Sequence, residues 1–383
     1  MDSRPRPQHS PPNPLASGAL ALCLVVVFVC AVRGLGAGFG GLGSDALSSF
    51  FAATRNPFIS LIVGLLGTTV MQSSAVTTSI IVGMVAAPDN PLPISNAIPM
   101  ILGANIGAAV THTLVALAHI GRPDEFRRAL ATATCHDFSK LLAVAALLPL
   151  EMLFSPLQKG SAILSHGLGT GAAALFSPVS ARATTVTDRI DGSLSALFPD
   201  ALVPSALLLA LSVATVVATL LLLVRVLRRL AGGRTQVYLS QALDSNPYAG
   251  MGVGAALTVM AQSSRVTLAV LVPLAGSGIV TLAQAFPVTL GAALGGTVTT
   301  LLASLGFPAE TAALGMQIAT VHVLFNTASV MLIYPIAPLR RLPLSAAMWL
   351  GEVGSRSKRL AILYVLGLFY GVPALVVVMS RVF

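Results

Sequence analysis

Residues 68–85 read TTVMQSSAVTTSIIVGMV, and residues 257–274 read LTVMAQSSRVTLAVLVPL. Each stretch sets an amide and two hydroxyls, Gln72-Ser73-Ser74 and Gln262-Ser263-Ser264, in the middle of an apolar run long enough to enter a bilayer. Polar groups at that depth are costly unless they bind something. What these two triplets bind is the central question about the chain.

The composition places them in a membrane. Of 383 residues, 55% are hydrophobic and 9% charged, with a mean hydropathy of +0.87; soluble domains carry about 25% charged residues. Several runs reach the roughly 20 residues that span a bilayer. The net charge of +9 does not indicate nucleic acid, because the cations sit between apolar segments rather than interleaved with aromatics on a polar face. Cys23, Cys30 and Cys135 lie scattered in apolar segments and form neither a disulfide framework nor a zinc spacing. Residues 1–15 read as a disordered tail. The apolar run that follows reads as a first transmembrane helix rather than a signal peptide, since further spans come after it.

In order, the sequence predicts a helix at about 16–38, a Gly/Ser-rich loop and the first QSS stretch at about 57–87. Spans follow at about 96–119 and 129–150, then a weakly apolar linker at 151–201. A very apolar helix at about 202–224 precedes the second QSS stretch at about 248–275. The last spans are expected at about 283–304, 312–336 and 360–380. The halves 16–150 and 202–383 repeat each other. Asn56-Pro57 and Gln72 match Asn246-Pro247 and Gln262 at an offset of 190; Pro99, Gly103, Gly107 and Thr111 match Pro287, Gly291, Gly295 and Thr299 at 188; His136 and Pro149 match His322 and Pro335 at 186. An ordered series with small gaps indicates duplication. The expected fold is therefore an all-α integral membrane protein of two inverted repeats, each with a QSS-containing re-entrant hairpin or broken helix.

Charge supports the inversion. With non-crossing hairpins and a cytoplasmic N-terminus, loops 121–128, 225–245 and 339–359, together with Arg4 and Arg6, put 14 basic residues inside, against four outside. Arg33 and Arg381 are expected to snorkel at the outer ends of helices. Lys140, Arg265 and Asp137 remain at membrane depth, where ionisable groups are functional candidates. Asp137 and Lys140, three apart, are expected to pair on one helix face.

A helix that begins inside the bilayer offers free N–H groups and a positive dipole end, an anion site without a charged residue. Serine hydroxyls add donors, and Arg265 adds a bidentate donor suited to an oxyanion. Asn105, Thr111, His112, Thr113, Thr297, Thr299, Thr300 and Asn326 are further polar residues in the spans, and His136 and His322 stand at equivalent places. No metal site is expected at the histidines, since no carboxylate or His cluster accompanies them in the sequence.

These residues resemble the type II sodium–phosphate cotransporter family over roughly 55–150 and 245–380. The likeness extends to IPMILGANIG, EFRRA, His136-Asp137-Phe138 ahead of LLPLE, FPVTLG, HVLFN and YPIAPLRRLP. The resemblance implies a multi-pass cell-membrane transporter, not an enzyme, that carries inorganic phosphate with sodium as co-substrate and needs no other cofactor. It implies a phosphate site built from both QSS hairpins, Gln72, Ser73, Ser74, Gln262, Ser263 and Ser264, to which Arg265 is added on its own chemistry as a bidentate donor. Sodium or charge compensation would fall to Asn105, Thr111, Asp137, Lys140, Thr299 and Asn326. The chain also departs from the family. Ala75 and Val76 interrupt the first hydroxyl run, Arg265 replaces a serine, Ala292, Ala293 and Gly296 replace polar residues, and Lys140 replaces an asparagine. These departures predict phosphate binding with reduced or absent sodium coupling. The alternatives are a sodium-independent oxyanion transporter or exporter, or a non-transporting membrane sensor. An intramembrane hydrolase using Ser73 or Ser74 with His136 explains the duplication of the serines poorly. No sequence feature fixes an oligomeric state.

Overall fold

The computed structural model describes residues 14–198, 200, 202–231 and 246–382. Within them every regular element is a helix, and six helices are long and apolar enough to cross a membrane: Leu15–Gly40, Ile94–Leu117, Leu202–Leu227, Leu282–Ser304, Glu310–Ile333 and Lys358–Val378. Two bent pairs also qualify, Leu47–Thr54 with Pro57–Met71 at 111° and Pro123–Phe154 with Pro156–Ser165 at 78°. The chain is an all-α membrane protein. The tail expected at 1–15 falls mostly outside the described residues; the first helix, α1, runs Pro14–Gly40.

The first half continues with α2 (Ser44–Thr54), α3 (Pro57–Met71), α4 (Ser74–Val85), α5 (Ile94–Gly107), α6 (Ala109–Leu117) and α7 (Pro123–Phe154). After α8 (Pro156–Leu197) and α9 (Leu202–Ala231) come α10 (Pro247–Ala261), α11 (Ser264–Gly276), α12 (Leu282–Gly295), α13 (Thr297–Ser304), α14 (Ala309–Ile333) and α15 (Ala337–Arg356). The last span is α16 (Lys358–Leu366) and α17 (Val372–Val382), joined by a π-helical turn at Gly367–Gly371.

The same local chemistry starts both QSS hairpins. Asn56 Oδ1 accepts from the backbone N–H of Phe58 at 2.9 Å, and Asn246 Oδ1 from that of Tyr248 at 2.7 Å. Each is an N-cap, and the proline after it fits the first helical position. The packing repeats as well. A Cβ on Gly103 would strike the carbonyl of Leu61, and one on Gly291 the carbonyl of Met251. These residues are equivalent in the two halves, so α3 lies on α5 as closely as α10 lies on α12.

The open ends of the hairpins lie at opposite ends of the helix Ile94–Leu117. At its start, Asn96 Nδ2 donates to Thr54 Oγ1 at 3.1 Å, and Ser60 Oγ to the Thr54 carbonyl at 2.7 Å, beside the beginning of α3. Beyond its other end, Arg128 Nε donates to the carbonyl of Gly276, the last residue of α11, at 2.9 Å.

Three stretches differ from the sequence reading. Residues 44–54 are helix rather than loop. The expected linker is mostly the 42-residue helix α8, packed against α14 and α1. Its small residues make it look weakly apolar and also permit that packing; a Cβ on Gly160 would meet Leu324 Cδ1 at 3.3 Å. Residues 337–356, read as a basic loop, form the amphipathic α15. Its buried residues Pro343, Ala347, Leu350, Gly351 and Gly354 recur at helical spacing, while Trp349 faces out. Arg33 is buried, only 6% exposed, and does not snorkel. Arg4, Arg6 and Arg234 lie outside the described residues.

A candidate anion site between the two QSS breaks

Both helices break at glutamine. Gln72 and Gln262 are left-handed, with φ of 52° and 49°. Only glycine adopts that region freely. Each side chain offsets the strain by capping its own helix: Gln72 Nε2 donates to the Thr69 carbonyl at 2.6 Å, and Gln262 Nε2 to the Val259 carbonyl at 2.7 Å. These bonds satisfy carbonyls that a helix end leaves open. Gln262 Oε1 accepts from Thr299 Oγ1 at 2.9 Å.

Each chain then reverses into an extended serine. Ser73 and Ser263 are N-caps with φ of −155° and −163°, and α4 and α11 start at Ser74 and Ser264. The first-turn N–H groups of a helix have no intrahelical partner. The two breaks face one narrow cavity, lined by Gln72, Ser73, Ser74, Ala75, Ala108 and Thr111 from the first half and by Gln262, Ser263, Ser264, Arg265 and Gly296 from the second. Five of these are equivalent pairs: 72/262, 73/263, 74/264, 75/265 and 108/296. At the fourth pair a methyl group faces a guanidinium, so the electrostatics are unequal where the backbone is equal.

An adjoining cavity shares Ser74, Ala108, Ser264 and Gly296 and is lined besides by Asn105, His136, Lys140, Ala292, Ala293 and His322. Asn105 Nδ2 donates to the Ile101 carbonyl at 2.9 Å. Lys140 is buried and does not pair with Asp137 as expected. Its Nζ donates to Asn326 Oδ1 and lies 5.3 Å from the centre of the Phe325 ring. The two cations thus flank the serines, Arg265 in one cavity and Lys140 in the other. Two positive dipole ends, one guanidinium, one ammonium and, among the described residues, no carboxylate in either lining suit a small oxyanion.

The belt beneath the cavities ties the halves together. Thr78 Oγ1 meets Thr300 Oγ1 at 2.9 Å, and Thr300 Oγ1 meets His322 Nδ1 at 2.8 Å. Thr111 lines the first cavity, with its hydroxyl donated to the Ala108 carbonyl at 2.8 Å. Thr299 and Asn326 reach the site through Gln262 and Lys140. Asp137 lines neither cavity; it faces His112 and His136 instead, a cluster the sequence reading did not foresee. The offsets explain it only once the structure is known. They equate His112 with Thr300 and His136 with His322, which touch in the second half. No hydrogen bond joins His136 to Ser73 or Ser74 among the described residues.

The family described as Na+/Pi-cotransporter matches residues 27–170 and 208–338, which include both breaks. The chain belongs to this family. Similar relatives include sodium-dependent phosphate transport protein 2A of Rattus norvegicus, 33% identical over 93% of this chain and 66% of the relative. Sodium-dependent phosphate transport protein 2B of Homo sapiens is 28% identical over 92% of this chain and 64% of the relative. The chain therefore spans slightly less than two thirds of the length of these relatives. No solved structure matches it. Within the family match, the two QSS breaks and their flanking cations lie inside the matched segments.

Proposed function

We propose that the chain is a secondary transporter that moves inorganic phosphate across the cell membrane together with sodium. The observation that carries the proposal is the cavity in which equivalent helix N-termini from both halves converge with Arg265. Phosphate would lie between Ser73-Ser74 and Ser263-Ser264. It would accept from hydroxyls and first-turn amides and be held bidentately by Arg265. Gln72 and Gln262 would shape the breaks. The relatives' names carry sodium-dependent phosphate transport; Asn105 and Thr111 would offer oxygens to sodium from the cavity linings, while Thr299 and Asn326 would act from behind them through Gln262 and Lys140. Asp137 would act from outside both linings, where it faces His112 and His136.

The halves 16–150 and 202–383 would be related by an inverted two-fold, with 151–201 as the connection. Hairpin mouths at opposite ends of Ile94–Leu117 support this. Alternating exposure of a fixed site between two such halves is the expected mode of transport. A second reading, weaker sodium coupling, is favoured by one observation: Lys140 and Arg265 each place a tethered positive charge beside the serines.

Phosphate uptake into proteoliposomes with and without an inward sodium gradient tests both. Gradient-driven uptake that disappears in Ser74→Ala/Ser264→Ala supports sodium-coupled transport. Equal uptake without sodium supports the second reading. No phosphate uptake in either condition rejects both.

A further inference from the structure

His112, His136 and Asp137 form a buried group apart from the QSS serines. His112 lies on α6, His136 and Asp137 on α7, and none is more than 3% exposed. His112 Nδ1 is 3.9 Å and His136 Nδ1 3.7 Å from the same atom, Asp137 Oδ1. The two rings stand nearly perpendicular, with centroids 5.0 Å apart. One donor atom from each residue falls within a 4.8 Å group. These separations are too long for hydrogen bonds. Among the described residues, both ring nitrogens of His112, Nδ1 of His136 and Oδ1 of Asp137 have no hydrogen-bond partner. Buried polar atoms rarely stay unpaired, and here one such atom from each of three residues comes together. Thr113 Oγ1 donates to Asp137 Oδ2 at 3.3 Å, which fixes the carboxylate.

We propose that His112, His136 and Asp137 bind a divalent transition-metal ion of the zinc or cobalt class. Two imidazole nitrogens and one carboxylate oxygen are the donor set such ions take. Bonds of about 2.0–2.1 Å put tetrahedral ligand atoms about 3.4 Å apart; both nitrogen–oxygen separations are within about half an ångström of that, and the group as a whole, spread over 4.8 Å, contracts around the ion. A hard cation asks for a shell of oxygens, and the cluster offers one unpartnered oxygen. His136 also lines the cavity beside Ser74 and Ser264, which places polar surface next to the group. The equivalent place in the second half holds no such group. There Thr300 and His322 are joined by a 2.8 Å hydrogen bond, and Val323 stands where Asp137 would be. The site is therefore a property of the first half alone.

The test is Co2+ titration of the full chain, purified, freed of its affinity tag and stripped with chelator. The expected result is one Co2+ per chain with the visible absorption of a four-coordinate ion and imidazole scattering in X-ray absorption. His112→Asn and Asp137→Asn should weaken binding by about 100-fold or more, and His119→Gln should leave it unchanged. Absence of stoichiometric binding, a metal shell without imidazole, displacement of cobalt by sodium, or full affinity in His112→Asn would each overturn the proposal. If the variants fail to fold, the wild-type ligand spectrum decides alone.

Discussion

Lys140 donates to Asn326, and the two stand 186 residues apart, the offset that also equates His136 with His322. A residue meets its own counterpart only where a local two-fold passes between the halves. The contact therefore supports the symmetric arrangement proposed for the QSS breaks, whose cavities lie beside it. It also shows how the symmetry has decayed, because an ammonium now faces an amide. A buried ammonium needs an acceptor, and Asn326 Oδ1 supplies it while its Nδ2 is tied to the His322 carbonyl at 2.9 Å.

Asn326→Leu should therefore lower the thermal midpoint in detergent, by about 1–3 kcal/mol of stability, while Asn326→Asp should match or exceed the wild type. Equal melting of the Leu variant and the wild type would remove the charged, amide-held Lys140 from the account.

Arg265→Ser removes the guanidinium from the cavity and keeps a hydroxyl. Phosphate affinity should fall about tenfold or more, as the loss of a hydrogen bond to a charged partner predicts. Uptake should also become more sodium-dependent. An unchanged affinity together with an unchanged sodium response would show that Arg265 does not face the anion.

At the breaks, Gln72→Val should destabilise more than Gln72→Gly. Valine adds the steric cost of the left-handed region, about 1–2 kcal/mol, whereas glycine loses only the bond to the Thr69 carbonyl. Parallel melts of the same changes at Gln262 should give the same order. Reversal of the order at either site argues against the αL account.

Gly103→Ala and Gly291→Ala should cost similar stability, about 1–3 kcal/mol each from overpacking against backbone. Gly252→Ala, where a Cβ meets nothing within 4 Å, should be neutral or slightly stabilising. Denaturation of the three single variants checks this; harmless substitutions at 103 and 291 would refute the close helix contact.

On α15, outside the spans, Glu352 is held below the ordinary carboxylate range, first by its hydrogen bond with Arg356 and then by the charges of Arg356 and Arg127. A depressed folded value means that its stabilising effect is present above the unfolded value, about 4.3, and is lost as pH falls through the folded one. Melting curves of wild type and Glu352→Gln should converge on acidification. A gap that widens instead would contradict the sign.

Much of this was legible in the sequence because local rules and duplication point the same way. Asn-Pro before each hairpin, paired glycines and the two triplets mark the broken helices without knowledge of any contact. The chain hid what depends on distant partners. Residues 156–197 look like a linker because small side chains score as weakly apolar, and only their fit against α14 explains their helix. Asp137 and Lys140 are spaced to pair, yet each finds a partner on another helix, Thr113 and Asn326. His112 gives no signal on its own, since its neighbours lie a helix away.

The self-capped glutamines have a consequence for how the protein is made. Gln72 and Gln262 close their bonds within three residues, and the glycine contacts of each hairpin join segments about 40 residues apart. Each hairpin with the helix it packs on can thus take shape from its own contacts as it leaves the ribosome, since contacts close in sequence form fast. The halves themselves are completed later, because α1 packs along α9 and α7 against α15, and these contacts, with Thr78 to Thr300 and Lys140 to Asn326, close only once the second half is made. Assembly then joins two ready-made hairpins through these contacts, and a fault in them should leave the hairpins formed but the two breaks unpaired.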